Sequence, residues 1–597
     1  MNWFIKNKRD NLKALEEVGD LAPFDRILLA NRDIRTKEEA DRFLNPRLED
    51  LHDPFLFTDM HRAVDLISDI LSSDGRIRVI GDYDQDGVAA TTILVRGLRE
   101  FARQMGRDSL EAVDYAIPDR IEDGYGININ LVDEAKSEGI RLIITCDNGI
   151  SAFDAIDHAR SLGIATIITD HHQILMKDGE EVLPAATAIL NPHSRRSGYP
   201  FPDLCGAGVA YKLIQACTLA LGYRTEDTLP LLQFAALGTI CDVVPLKDEN
   251  RVIVRYGLDR LNEKPNLGIR LLLDLNHWDR EITVYTVGFI IGPCINASGR
   301  LFTARLGVEL FLERDRAVAE NYAAELIRLN EERKEMTRLG LELAVEMAAG
   351  KTDQTILFFY IPELHESICG LIAGRIKEKY HKPCLVFTDA EALGDAEEGR
   401  KLLKGSGRSI EAYNMYEELN RYRDRYFSFG GHEMACGLSL YRDELDRLEE
   451  QANQDCRLTD RDMEPYLELE MPLDLHRLDY SVIKAVDRFA PFGKDNPTPN
   501  FGVTGCNVRA FRLVGKNKNV LQIVVEKAGR RFQAVMFQGD EKLDQLRAAG
   551  LSRELDDLLS GREIERTIDL VYRPDLNEYK GKTSIQLMVQ DFRFSGD

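Results

Sequence analysis

Three aspartates at alternate positions, Asp82, Asp84 and Asp86, stand where the apolar run Arg76–Ile80 meets a glycine-flanked stretch, Gly81 to Gly87. Asp147 follows a second apolar run, Leu142–Cys146, and Asp170-His171-His172 closes a third, Ala165–Thr169. Packing does not ask for such a set. Two unit charges about 4 Å apart repel by roughly 4 kcal/mol at an effective dielectric of about 20. A cluster of acids therefore implies a cation, protonation or wide separation. Carboxylates with imidazoles suit divalent ions such as Mn²⁺ or Mg²⁺.

Each motif has a plainer reading. Asp82-Tyr83-Asp84-Gln85-Asp86-Gly87 resembles the start of a Ca²⁺ loop, but its twelfth position is Ile93 rather than the required Glu, and a strand-like run precedes it. Asp147 could merely cap the helix that follows. Asp170-His171-His172 could be a helix start, and Asp242, in Gly238-Thr239-Ile240-Cys241-Asp242, is the weakest taken singly. Together they supply several acids and an imidazole at strand ends, which favours one shared site.

The elements that would position them follow from periodicity. Short β-rich runs at 76–80, 112–117, 142–146 and 165–169 alternate with helix-like stretches near 88–102, 130–138 and 151–162, so a parallel α/β sheet is expected. Ligands of such sheets bind beyond the carboxyl ends of the strands. Residues 305–350 read as a long charged connector helix with a narrow apolar stripe, a coiled coil being the rival. A second α/β unit is expected over 351–455. From 456 to 597 alternating runs predict a small β-barrel.

Composition sets the bounds. The 597-residue chain is 44% hydrophobic and 30% charged, and is too long for one core. No apolar run approaches the roughly 20 residues that cross a bilayer, and the N-terminal stretch lacks the pattern of a secretory signal. The ten cysteines contain no Cys-x-x-Cys pair and read as reduced thiols of a cytoplasmic protein. A net charge of −23 argues mildly against nucleic acid, although a local basic groove can outweigh it.

The four motifs resemble those of the DHH phosphoesterase superfamily: Asp84 with Asp86, Asp147, Asp170-His171-His172, and Asp242. Within it the chain is similar to the bacterial RecJ single-stranded-DNA exonuclease family over nearly its whole length. Further marks are Arg120-Ile121-Glu122-Asp123-Gly124-Tyr125-Gly126, Gly206-Ala207-Gly208, Asn296-Ala297-Ser298-Gly299-Arg300, Gly405-Ser406-Gly407-Arg408, Gly430-Gly431-His432 and Pro491-Phe492-Gly493.

The resemblance implies a DHH domain (51–304) after an N-terminal segment (1–50), the connector, a DHHA1-like domain and an OB-like barrel. It implies two divalent ions held by Asp84, Asp86, Asp147, His171 and Asp242, with Asp147 bridging and Asp82 as a further acid. Asp170 would orient His171, and His172 would face the phosphate. Asn296, Arg300, Ser406, Arg408, Gly430, Gly431 and His432 would grip the substrate. In the barrel, Arg509, Arg512, Lys516, Lys518, Lys527, Arg530 and Arg531, with Phe511 and Phe532, are candidates for a strand-binding groove. Cys294 replaces the family's usual arginine.

The implied activity is 5′→3′ hydrolysis of single-stranded DNA to mononucleotides in repair and recombination, with a single-strand-binding protein and a helicase as partners. A small-substrate phosphodiesterase or nanoRNase, and a non-catalytic replication scaffold, are the alternatives.

Overall fold

The computed structural model describes residues 1–18, 21–120, 124–390, 400–579 and 581–596. Ile121, Glu122 and Asp123 of the Arg120–Gly126 motif thus lie outside the described residues. The chain divides into two units, Arg47–Glu464 and a second made of Met1–Pro46 with Pro465–Asp597.

The larger unit starts from a five-stranded parallel sheet, ordered Val113–Ala116, Arg76–Ile80, Ile140–Cys146, Ala165–Thr169, Ala188–Leu190. Its central strands are apolar on both faces because helices cover both, as parallel sheets require. The chain steps from Arg76–Ile80 outward to the edge, then crosses back to Ile140–Cys146. A crevice opens where the order reverses. Asp82, Asp84 and Asp86 follow one of these two strands and Asp147 follows the other.

Three helices close on the crevice. Gln85–Gln104 begins at Asp84, whose carboxylate caps it by accepting from the amides of Asp86 (2.8 Å) and Gly87 (3.0 Å). Gly206–Ala220 points its N-terminus inward. Leu229–Cys241 is buried on nearly every face and delivers Asp242 at its C-terminus. Asp242 therefore comes from a helix end and not from a strand end, which corrects the sequence expectation. A helix that is apolar all round carries no 3.6-residue period to betray it.

On the helix Gly206–Ala220 a fully buried Lys212 pairs with an equally buried Glu249 at 2.6 Å, and Lys212 also donates to the carbonyl of His52.

The connector is one 33-residue helix, Arg316–Ala348, preceded by Arg305–Leu312. Ala319, Ala323, Leu326 and Leu329 belong to the first core, Ala344 and Ala348 to the next. Its outer face is laced by pairs such as Arg328 with Glu325 and Glu332. The apolar stripe thus changes partners midway, which a coiled-coil seam does not. Beyond it lies a mixed sheet ordered Ser428–His432, Ala435–Tyr441, Leu402–Arg408, Cys384–Asp389, Leu357–Tyr360.

In the smaller unit, Phe501–Val514, Val520–Lys527, Arg530–Phe537, Lys582–Phe594 and Thr567–Tyr579 pair in that order, and the last pairs back onto the first. The barrel is closed. Its core includes Leu15, Leu28 and Leu29 from the N-terminal segment, and Asn2–Ile5 pairs in parallel with Tyr466–Leu469. The segment expected to stand apart over 1–50 is therefore part of the barrel unit through Pro46, and that unit resumes at Pro465 rather than 456. Long-range apolar contact, this strand pairing and polar links such as Arg32 to Asn496 and Asp25 to Arg488 make the join.

Removing one partner of a buried ion pair leaves an uncompensated charge, at a cost of about 3–5 kcal/mol. Lys212→Met is expected to destabilise the larger unit by that amount in denaturant titration. Adding Glu249→Gln should recover part of the loss, and an unchanged midpoint in the single variant would contradict the pairing.

Candidate metal centre

Each acid is placed by a backbone device. The sheet ladder runs one residue beyond the strands, so the Asp147 amide donates to the Thr169 carbonyl (3.0 Å) and the Asp170 amide to that of Leu190 (3.1 Å). Asp147 itself adopts φ +60°, a left-handed conformation that aspartate tolerates better than most residues. The buried Asn148 side chain donates to the carbonyls of Ile80 and Cys146 and so ties the two strand ends across the crevice. Asp86 accepts from the amides of Gly206 (2.6 Å) and Ala207 (3.0 Å) at a helix N-terminus. A β-carbon on Gly238 would lie 2.2 Å from the Asp86 Oδ1, and one on Gly206 would lie 2.6 Å from Asp147. Only glycine permits that approach.

The donor atoms converge in three overlapping groups, each within 4.8 Å: Asp82, Asp84 and Asp147; Asp147, His171 and His172; Asp86, His171 and Asp242. Asp147 and His171 each belong to two. His171 Nε2 lies 3.1 Å from Asp147 Oδ1, 3.7 Å from Asp242 and 3.9 Å from Asp86. Yet Asp147 Oδ1 and Asp82 Oδ1 are buried without a hydrogen bond. Burial, then the neighbouring carboxylates, hold the Asp82 and Asp147 acids well above the usual range. The same causes push Asp86 up to about 6. Orphaned carboxylate oxygens facing an imidazole fit divalent cations.

The two histidines differ in charge. Burial lowers His171 to about 3, so it is neutral and keeps a lone pair for a ligand. Burial also pulls on His172, but the Asp170 carboxylate, 2.8 Å from its Nδ1, lifts it to about 9. Asp170 further accepts from the amides of Ile150, His171 and His172. Asp170 thus orients the His172 ring and not that of His171, contrary to the sequence expectation. The tight turn after the strand brings the ring two residues on, rather than the adjacent one, back over the carboxylate.

Beside the acids stands a cluster of guanidiniums. Arg300 is lowered to about 10 by burial and then by Arg120, Arg333 and Arg408, and donates to the Ser367 carbonyl (2.7 Å). Arg408 donates to Ser406 Oγ (3.0 Å). Sheet register aligns Arg408, Ala435 and His432 in one row and Ser406, Gly437 and Gly430 in another, with Gly407, Cys436 and Gly431 between. Gly431, at φ +150° with a β-carbon position 2.4 Å from the Ala435 carbonyl, must be glycine. Gly430 has open space there. Asn296 does not face this cluster: its Oδ1 accepts from the Gln85 amide (2.7 Å), which fixes the turn carrying Asp84.

Comparison with known proteins places this arrangement. The DHH family N-terminal domain matches residues 76–239, the DHHA1 domain 353–457, and the RecJ OB domain 469–591. The single-stranded-DNA-specific exonuclease RecJ of Bacillus subtilis is 34% identical over 596 residues, spanning 99% of this chain and 70% of that one. The chain belongs to the RecJ family. The crystal structure of Thermus thermophilus RecJ in complex with Mn²⁺ superimposes with a TM-score of 0.78 at 24% identity, covering 99% of this chain and 79% of that one. A further exonuclease RecJ, bound to manganese, gives 0.57 at 29% identity, covering 70% and 99%.

Against this RecJ framework, sequence reasoning missed Arg333, hidden in a helix full of arginines and glutamates, and Tyr125 as a site residue, whose hydroxyl donates to the Asp147 carbonyl and lies 3.2 Å from His172. Cys294 is fully buried against Asn330 of the connector, so the position serves helix packing rather than a phosphate. In the barrel, Phe511 and Phe532 are 3% and 6% exposed and belong to its core, which rules them out as stacking platforms. Arg509 and Arg531 pair with Glu526, and Lys527 with Asp474. Arg530 lies over the Phe532 ring and donates to the carbonyls of Leu475 and His476. Arg512, Lys516 and Lys518 are exposed around one hairpin, close to Phe537, which is 63% exposed and pairs with Val520.

Asp86 titrates near 6 in the fold and about 3.9 when unfolded. Its proton therefore stabilises the metal-free fold fully below about pH 4, and that contribution is lost as pH rises through 6. A divalent ion takes only the ionised carboxylates. The rise in Tm on adding Mn²⁺ is expected to grow between about pH 5 and about pH 8, as differential scanning fluorimetry would show. A flat or falling increment would contradict the site.

Proposed function

We infer that the chain is a metal-dependent exonuclease that hydrolyses the phosphodiester bonds of single-stranded DNA. What carries this is the convergence of overlapping carboxylate and imidazole donors beside a cluster of buried guanidiniums, in a chain of the RecJ family. Asp84, Asp86, Asp147, His171 and Asp242 are proposed to hold two divalent ions, Mn²⁺ or Mg²⁺. Asp147 is the shared ligand and Asp82 a supporting acid. Such a pair supplies an activated water and a clamp on the phosphoryl oxygens.

The chain's own residues do the rest. Neutral His171 gives its lone pair where a charged ring would repel a cation. His172, held charged by Asp170, is proposed to donate to a phosphoryl oxygen as charge builds there. Arg300 and Arg408, backed by Arg120 and Arg333, face the incoming phosphates, for which planar guanidiniums are suited. Ser406, Gly431 and His432 lie along the same sheet end. Asn296 acts through Gln85 to fix Asp84 and is a positioning residue. On the barrel, Arg512, Lys516, Lys518 and Phe537 offer the charge and the exposed ring that hold a single strand.

Cleavage from the 5′ end to mononucleotides is proposed from kinship with RecJ. A strand-specific nuclease also needs its strand exposed and kept open, which makes a helicase and a single-strand-binding protein the proposed partners.

With Mn²⁺ and 5′- or 3′-labelled oligonucleotides, mononucleotide release is expected from the 5′ label first and on single strands only. Asp147→Ala should lower kcat by about a thousandfold or more, the several kcal/mol supplied by the metal pair, with the fold intact by circular dichroism. Near-normal turnover would refute the ligand set. Lys516→Glu with Lys518→Glu should weaken binding to long strands and lower the salt dependence by about one unit per lysine, while hydrolysis of a dinucleotide is unchanged. Equal losses on both substrates would assign the barrel a structural role alone.

A further inference from the structure

A cleft of about 1420 Å³ in the larger unit lies at the far ends of the helices that serve the acids. Gln85–Gln104 starts at Asp84 and lines the cleft from Arg96 onward. Gly206–Ala220 holds Asp86 with its first amides and reaches the cleft from Ile214 onward. Leu229–Cys241 delivers Asp242 and borders the cleft at Pro230. At about 1.5 Å per residue, Arg99 stands roughly 20 Å from Asp84 along the helix. The cleft is therefore separate from the metal centre yet built on the same three rods.

Its lining is cationic in a chain of net charge −23. Arg96, Arg99, Arg260, Lys264 and Arg314 all border it. Arg96 and Arg99 are lowered by burial, and both feel Arg314 as a like charge. Their hydrogen bonds go to the carbonyls of Phe311 and Val113, not to acids. Arg260 Nε is buried without a partner, while its Nη1 reaches Glu263 only at 3.7 Å. Among the described residues, Lys264 and the Arg314 guanidinium make no ion pair.

The four acids of the cleft are already engaged. Glu100 bonds Arg103 and Gln104, and Glu309 bonds Arg305. Glu313 accepts from the amides of Arg314 and Asp315, and Asp227 from that of Arg224. Two helix N-termini, at Leu229 and at Leu267, add their positive ends.

Six cations line the cleft against four acids; the excess of positive charge calls for an anion, and several guanidiniums suit phosphate oxygens. The space exceeds what a bare phosphate needs, and the half-buried Tyr115 and Tyr322 supply aromatic wall beside it. We propose that this cleft binds a nucleoside polyphosphate, its phosphates on Arg96, Arg99 and Arg314 and its base against the aromatic wall. Through the three shared helices its occupancy bears on the acids.

The test is calorimetric titration of the full chain in EDTA with ATP, inorganic pyrophosphate and an acidic peptide. ATP is expected to bind, pyrophosphate more weakly. Arg314→Glu, an exposed change that breaks no contact, should weaken ATP about tenfold or more, whereas Arg408→Ala should not. Saturating ATP should shift the nuclease rate of the wild type and leave that of Arg314→Glu unmoved. No ATP binding, binding lost instead in Arg408→Ala, or binding of the peptide alone would overturn the assignment. ATP binding with no change in rate would overturn its link to the acids.

Discussion

Everything near the centre of this protein answers one electrostatic difficulty: five carboxylates gathered at one site, three of which, Asp82, Asp86 and Asp147, are held out of water. Bringing such charges together is costly unless each is compensated. The fold compensates by backbone amides wherever it can. Asp84 caps its own helix, Asp86 lies across the start of another, and Asp170 collects three amides and an imidazole. What remains uncompensated, chiefly the orphaned oxygens of Asp82 and Asp147, faces a single region. The deficit is thus local and aimed, as a cation site requires.

The same bookkeeping explains the glycines. Gly206 and Gly238 are not there for turns; Gly206 opens one helix and Gly238 sits inside another. They let helix backbone approach a carboxylate more closely than any side chain would allow. Helix packing and charge placement are in this way one constraint. The helices cannot shift by a methyl group without moving a candidate ligand.

Much of this was legible in the chain. Apolar runs ending in acids located Asp82, Asp84, Asp86, Asp147 and the Asp170–His172 trio, because parallel strands are read by composition and their ends by the abrupt change in polarity. Asp242 was legible as a residue but not as a helix end, since Leu229–Cys241 lacks any polar face. The pairing of Asp170 with His172 turns on two backbone torsions that sequence does not display. Phe511 and Phe532 looked like stacking rings because alternation marks a strand without saying which of its faces is inward. The union of Met1–Pro46 with the barrel is a contact across most of the chain, which local patterns do not carry.

A chain of net charge −23 that handles DNA is no paradox once distances are considered. At physiological salt a charge is felt over about 8 Å, so the sum matters less than the neighbourhood. Arg300 and Arg408 are desolvated, and a desolvated guanidinium attracts a phosphate more strongly than an exposed one while demanding that the phosphate also shed water. A lone strand can bring one bare phosphate to such a place. A duplex would have to bring its second strand into the protein with it. On this proposal, selection for single strands would follow from where the positive charge is buried, without recognition of bases.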